Sequence, residues 1–83
     1  MEEKEQIINM FQRFMKERGV PRNIKRLVEE SMEILEGDGS KEVKISSIIT
    51  LLDEASNDPN LSMFARTELW NIVSFLESLK NKC

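Results

Sequence analysis

The chain repeats its own apolar pattern. A displacement of 41 residues sets Ile7, Ile8, Met10, Phe11 and Phe14 on Ile48, Ile49, Leu51, Leu52 and Ala55. The same shift sets Val20, Ile24, Val28, Met32, Ile34 and Leu35 on Leu61, Ala65, Leu69, Val73, Phe75 and Leu76. Eleven of the thirteen apolar residues from Ile7 to Leu35 therefore meet another apolar residue, while only five positions in the overlap are identical. Burial character is kept where the letters are not. That is the pattern of two supersecondary units, each unable to bury its apolar face alone.

Each unit reads as a helical hairpin. The first helix spans about residues 2–17, with Glu2, Glu3 and Glu5 suited to the positive end of its dipole and Arg13, Lys16 and Arg18 to the negative end. Ile7, Ile8, Phe11, Phe14 and Met15 repeat at the helical period, and Gly19 stops the helix in the left-handed geometry that glycine reaches without steric cost. Pro21 opens a second helix at its first turn, where a missing N–H is harmless. Its inner stripe is Ile24, Leu27, Val28, Ser31, Ile34 and Leu35, and Gly37-Asp38-Gly39 ends it.

Ser40 caps the third helix, whose face is Ile45, Ile48, Ile49, Leu52 and Ala55. β-Branched residues crowd this stretch, but the apolar period is 3.6 and not 2, which excludes a strand. Asn57-Asp58-Pro59-Asn60 is a turn. The fourth helix runs from about Ser62 to Lys80 and buries Ala65, Leu69, Ile72, Val73, Leu76 and Leu79. The most central core positions are expected at Phe11, Val28, Ile49, Leu69 and Leu76.

The expected fold is all-α and a single domain over 1–83, with hairpin one at about 2–37 and hairpin two at about 40–80. The spacing lies in the range of HEAT-type helix pairs, roughly 40–47 residues. Two such units are too few for a solenoid, so they close on each other as a compact four-helix bundle in preference to an open arc.

Composition narrows the functional classes. With 33% charged and 40% apolar residues among 83, the chain is globular in character. Its longest apolar run, Met63-Phe64-Ala65, is far short of a membrane span, and its start lacks the features of a signal peptide. A cytoplasmic location is expected. The lone cysteine, Cys83, forms no internal disulfide and reads as incidental at a chain end.

There is no histidine, so acid-base work at neutral pH would fall on a carboxylate or lysine shifted by burial. Asp53, Glu54 and Asp58 can be imagined around a hard cation, which needs several oxygens at short range. Asp53 and Glu54 read instead as a solvated helix face, and Asp58 as support for the turn before Pro59. No enzyme, metal, cofactor or small-molecule substrate is expected.

Three blocks carry a resemblance: Val20-Pro21-Arg22-Asn23-Ile24-Lys25-Arg26, Leu52-Asp53-Glu54-Ala55-Ser56-Asn57-Asp58-Pro59-Asn60 and Arg66-Thr67-Glu68-Leu69-Trp70-Asn71-Ile72-Val73-Ser74. They resemble a family of short archaeal proteins catalogued as uncharacterised, over about residues 7–79. The resemblance implies an all-helical bundle of the archaeal cytoplasm. It implies no activity and carries over no catalytic residue.

Two surfaces stand out. Arg13, Lys16, Arg18, Arg22, Lys25 and Arg26 form a basic cluster broken only by Glu17. The last three sit in the first turns of a helix, where the dipole disfavours cations by roughly 0.3–1 kcal/mol each and free N–H groups favour an anion such as an RNA phosphate. The plainer account is a solvated face with Lys25–Glu29 and Arg26–Glu30 pairs. The fourth helix, in turn, has more large side chains than one buried stripe holds. Met63 and Trp70 flank the stripe on one side, and Phe64 and Phe75 on the other.

These flanks either plug seams between helices or form an exposed apolar interface, with Arg66 one turn before Trp70 placed to stack on its ring. The leading expectation is a protein-interaction or assembly module, with a protein partner or a homodimer through the fourth helix. An RNA- or phosphate-binding accessory protein is the alternative.

Overall fold

In a computed structural model, which describes residues 2–82, the chain forms α1 (Glu2–Met15), α2 (Arg22–Glu36), α3 (Lys41–Ser56) and α4 (Met63–Lys82). Among the described residues there is no strand. The predicted helices are all present, with ends moved by a few residues. α1 stops at Met15, and its last turn tightens through Lys16 N–H to Arg13 O (3.2 Å) and Glu17 N–H to Phe14 O (3.0 Å). Gly19 then takes φ +81°.

Pro21 stands one position before the helix and not within its first turn. Its extended backbone (φ −61°, ψ 157°) leaves its carbonyl to accept from the N–H groups of Ile24 and Lys25. Ser40 caps α3 as expected, its side-chain oxygen accepting from Val43 N–H at 3.2 Å. Ser62 caps α4 in the same way through Ala65 N–H at 3.1 Å.

Packing runs α1–α2, α2–α3, α3–α4 and α4–α1, which closes the four helices into a ring. The radius of gyration, 11.9 Å, is what a compact chain of this length gives, about 12 Å. The core is one cluster, with Phe11, Phe14, Val28, Ile48, Leu52, Leu69 and Leu76 fully buried at its centre. All six expected inner residues of α4 are buried.

On α3, by contrast, Ile48 occupies the position expected of Ile49, which lies half-buried at the margin. The buried stripe of α3 is Ile45, Ile48, Leu52 and Ala55, and that rotation is set by the neighbours on either side. The buried hydroxyl of Ser31 is satisfied, since its Oγ donates to Leu27 O at 2.9 Å.

The α1–α2 and α3–α4 turns lie together at one end. Ser62 N–H donates to Gly19 O at 3.0 Å, Ser62 Oγ donates to Arg18 O at 3.5 Å, and Asn23 Nδ2 donates to Asp58 Oδ2 at 2.8 Å. A Cβ on Gly19 would sit 2.5 Å from both Cβ and Oγ of Ser62. Glycine is needed there twice over, for its positive φ and for this approach.

Candidate interaction surface

α4 lies against α3 and α1 through its inner stripe and leaves its opposite face to solvent. On that outer face Met63 is 72% exposed, Phe64 59% and Trp70 54%. Isolated exposed apolar residues are ordinary, but these three stand within about two turns of one helix. Thr67, Asn71, Ser74 and Ser78 fill the rest of the outward arc, and all are exposed. At 100° per residue, the arc from Trp70 round to Phe64 carries no charged residue between Met63 and Asn81 in a chain one-third charged, and the exposed Glu77 stands just beyond its Trp70 edge. The outer face of α2, in contrast, presents Arg22, Arg26, Glu29, Glu30, Glu33 and Glu36.

The remaining two residues of the expected surface are placed differently. Phe75 is half-buried and packs against the core. Arg66 turns its guanidinium back onto the α3–α4 turn, where Nη2 donates to Asp58 O at 2.8 Å and to Leu61 O at 3.4 Å. Its Nε is buried with no hydrogen-bond partner among the described residues. The structure therefore brings Met63, Phe64 and Trp70 together on an open face, with Arg66 holding the turn beneath it. Sequence reasoning marked the large side chains but passed over Thr67, Asn71, Ser74 and Ser78. The signal was present as a missing one, the absence of charge at helical spacing along α4.

The basic cluster gathers at the end where α1 stops and α2 starts. Arg13, Lys16, Arg18, Arg22 and Arg26 are exposed and Lys25 half-buried. Neither Lys25–Glu29 nor Arg26–Glu30 forms an ion pair. α2 begins with no acid in its first turn and no side-chain cap.

Asp58, beside this cluster, is engaged both by its own turn and by α2. The Asn23 side-chain amide and the Asn60 N–H, which bonds Oδ1 at 2.8 Å, hold its carboxyl below the ordinary value of 3.8. Arg66 adds to that effect. Among the described residues no group of three or more His, Cys, Asp or Glu is placed to hold a metal ion. No helix is long and apolar enough to cross a membrane. The terminal Cys83 lies outside the described residues.

A groove of about 300 Å³ opens at the far end, floored by Ile7, Leu35 and Ile45. Its lysines are already engaged. Lys4 pairs with Glu36 at 3.3 Å, Lys41 with Glu3 at 2.6 Å, and Lys44 Nζ donates to Leu35 O at 3.4 Å.

The model of an uncharacterised protein family, UPF0147, matches residues 1–79. A UPF0147 protein of Methanothermobacter thermautotrophicus is 45% identical over 75 residues, 89% of this chain and 74% of that protein. Relatives from Sulfurisphaera tokodaii and Methanosarcina mazei, both also UPF0147 proteins, are 36% and 37% identical. They match over 92% and 89% of this chain and 86% and 81% of their own lengths. No solved structure gives a significant match.

Proposed function

This chain belongs to the UPF0147 family, and we propose that it is a small non-enzymatic interaction module that associates through the outer face of α4. The observation that carries this reading is the uncharged outward arc with Met63, Phe64 and Trp70 exposed on it. Interface centres are depleted in charge and enriched in aromatic residues and methionine. Tryptophan is prominent among the residues that dominate binding energy.

The test is molecular mass in solution against concentration. The wild-type chain should sediment above monomer mass at high micromolar concentration, and Trp70 emission should redden on dilution. Trp70→Ala should abolish the excess mass while leaving thermal stability nearly unchanged. A chain that stays monomeric throughout that range refutes self-association.

A second reading rests on the basic cluster. Arg13, Lys16, Arg18, Arg22, Lys25 and Arg26 make no ion pair among the described residues, which supports a role for them beyond surface pairing. They would contact the phosphates of RNA. Glutamine at Arg22, Lys25 and Arg26 should then flatten the salt dependence of binding, because each lost phosphate contact removes a released counterion. Absence of RNA binding by the wild type at low salt refutes it.

We also infer that the two hairpins are diverged copies of one HEAT-like unit, closed on each other as a bundle. Support comes from the boundaries. α1 ends at Met15 and α3 at Ser56, α2 starts at Arg22 and α4 at Met63, each pair 41 residues apart. Burial agrees as well, for Phe11 with Leu52, Val20 with Leu61, Val28 with Leu69 and Leu35 with Leu76 are all buried pairs.

A further inference from the structure

We propose that the partner of the α4 outer face is a second copy of this chain lying antiparallel to the first, about a two-fold axis near Trp70 and Asn71. This rests on the reading of that face as an association surface and adds who occupies it and in which direction. Two independent observations select the direction.

The first is size. Along the outward arc the large side chains Met63, Phe64 and Trp70 fall in the first half of α4, and the small Ser74 and Ser78 in the second. Helices pack when large residues of one stand over small residues of the other. An antiparallel partner places Met63 over Ser78 of the second copy and Thr67 over Ser74 of the second copy, with the two Trp70 rings side by side at the axis. A parallel partner sets large on large at one end and leaves a gap between serines at the other.

The second is charge. Toward the end with the α1–α2 and α3–α4 turns lie seven basic and five acidic residues. Toward the end with the α2–α3 turn, among residues 3–81, lie four basic and nine acidic, counting Glu29 at the midpoint of α2 with these. The molecule is thus positive at one end and negative at the other, and α4 runs from the first to the second. Antiparallel copies set positive ends beside negative ends, whereas parallel copies set like beside like. Glu77, exposed at the edge of the arc, falls level with Phe64 of the second copy, and the two Glu77 carboxylates stand about 20 Å apart along the axis, so the face adds no like-charge contact.

The overlap from Met63 to Ser78 is about 24 Å of helix. One such face falls short of the roughly 800 Å² per partner of a standard stable interface, which makes the dimer a weak, micromolar one.

The experiment combines sedimentation with disulfide trapping in a Cys83→Ser background. Thr67→Cys and Ser74→Cys are made separately, both at exposed positions where folding is not at stake. In the antiparallel dimer, residue 67 of one copy adjoins residue 74 of the other, while the two residues 67 are offset by about 10 Å along the axis, beyond disulfide reach. Mixing the two variants under mild oxidation should therefore give the mixed disulfide far faster than either variant alone links to itself. Added salt should weaken the dimer, as it screens the attraction between unlike ends.

Rapid self-linking of each single variant means parallel copies. That overturns this proposal and leaves the association surface standing. A Trp70-dependent dimer that traps neither disulfide also overturns the antiparallel register. A monomer at every concentration, or a dimer indifferent to Trp70→Ala, overturns both the register and the surface.

Discussion

Replacing Gly19 by alanine should destabilise this protein far more than an exposed turn substitution ordinarily does, for two separable reasons. The first is conformational. At φ +81° an L-residue with a Cβ is strained by roughly 1–2 kcal/mol. The second is contact, since the new methyl would stand 2.5 Å from Cβ and Oγ of Ser62, against the 3.5–4.0 Å at which carbon atoms rest. Relief requires the turn to retreat by about 1 Å. That stretches the 3.0 Å bond from Ser62 N–H to Gly19 O past bonding distance, at about 0.5–1.5 kcal/mol.

Together the loss is about 1.5–3.5 kcal/mol, from a total of roughly 4–12 kcal/mol expected for a chain of this length. Urea denaturation followed by circular dichroism reads it, within a cycle that includes Ser62→Gly. That second change removes the opposing Cβ and costs a few tenths of a kcal/mol as a cap replacement. In the Ser62→Gly background Gly19→Ala should cost only its conformational part, so the two sites should couple by about 1 kcal/mol or more. If Gly19→Ala costs under about 0.5 kcal/mol, or costs the same in both backgrounds, the account of the two turns as one tied unit is wrong.

Two further outcomes follow from the same coordinates. Ile48→Ala should cost about 2–5 kcal/mol and Ile49→Ala clearly less, because Ile48 is fully buried and Ile49 only partly; equal losses in parallel melts would place the α3 face wrongly. Asp58, whose carboxyl is held below its ordinary value of 3.8, contributes stability that is complete above that pH and is lost as pH falls through its lowered native value. Asp58→Asn should lack this share of the acid sensitivity, and thermal melts that decline identically for both proteins below pH 3.8 would contradict it.

What the sequence determined is what depends on near neighbours along the chain. Helix existence followed from 3.6-residue periodicity, helix ends from Gly19, Ser40, Pro59 and the Gly37-Asp38-Gly39 turn, and the inner stripe of α4 from its spacing alone. Each of these is decided within a turn or two of backbone. The large flanking residues of α4 were equally legible, because a helical wheel shows that they exceed one buried stripe.

Whether a flank is covered is another matter, since coverage depends on where the other three helices stand. Only the closed ring showed that Phe75 packs on the core while Met63, Phe64 and Trp70 do not. The same holds for the choice of Ile48 over Ile49, a rotation of α3 by part of a turn that its neighbours impose. It holds for Arg66, which reads as a stacking partner in sequence and is drawn instead to the Asp58 and Leu61 carbonyls of the α3–α4 turn. Least visible of all was the approach of Gly19 to Ser62, because those two backbones meet only after both hairpins have formed and closed upon each other.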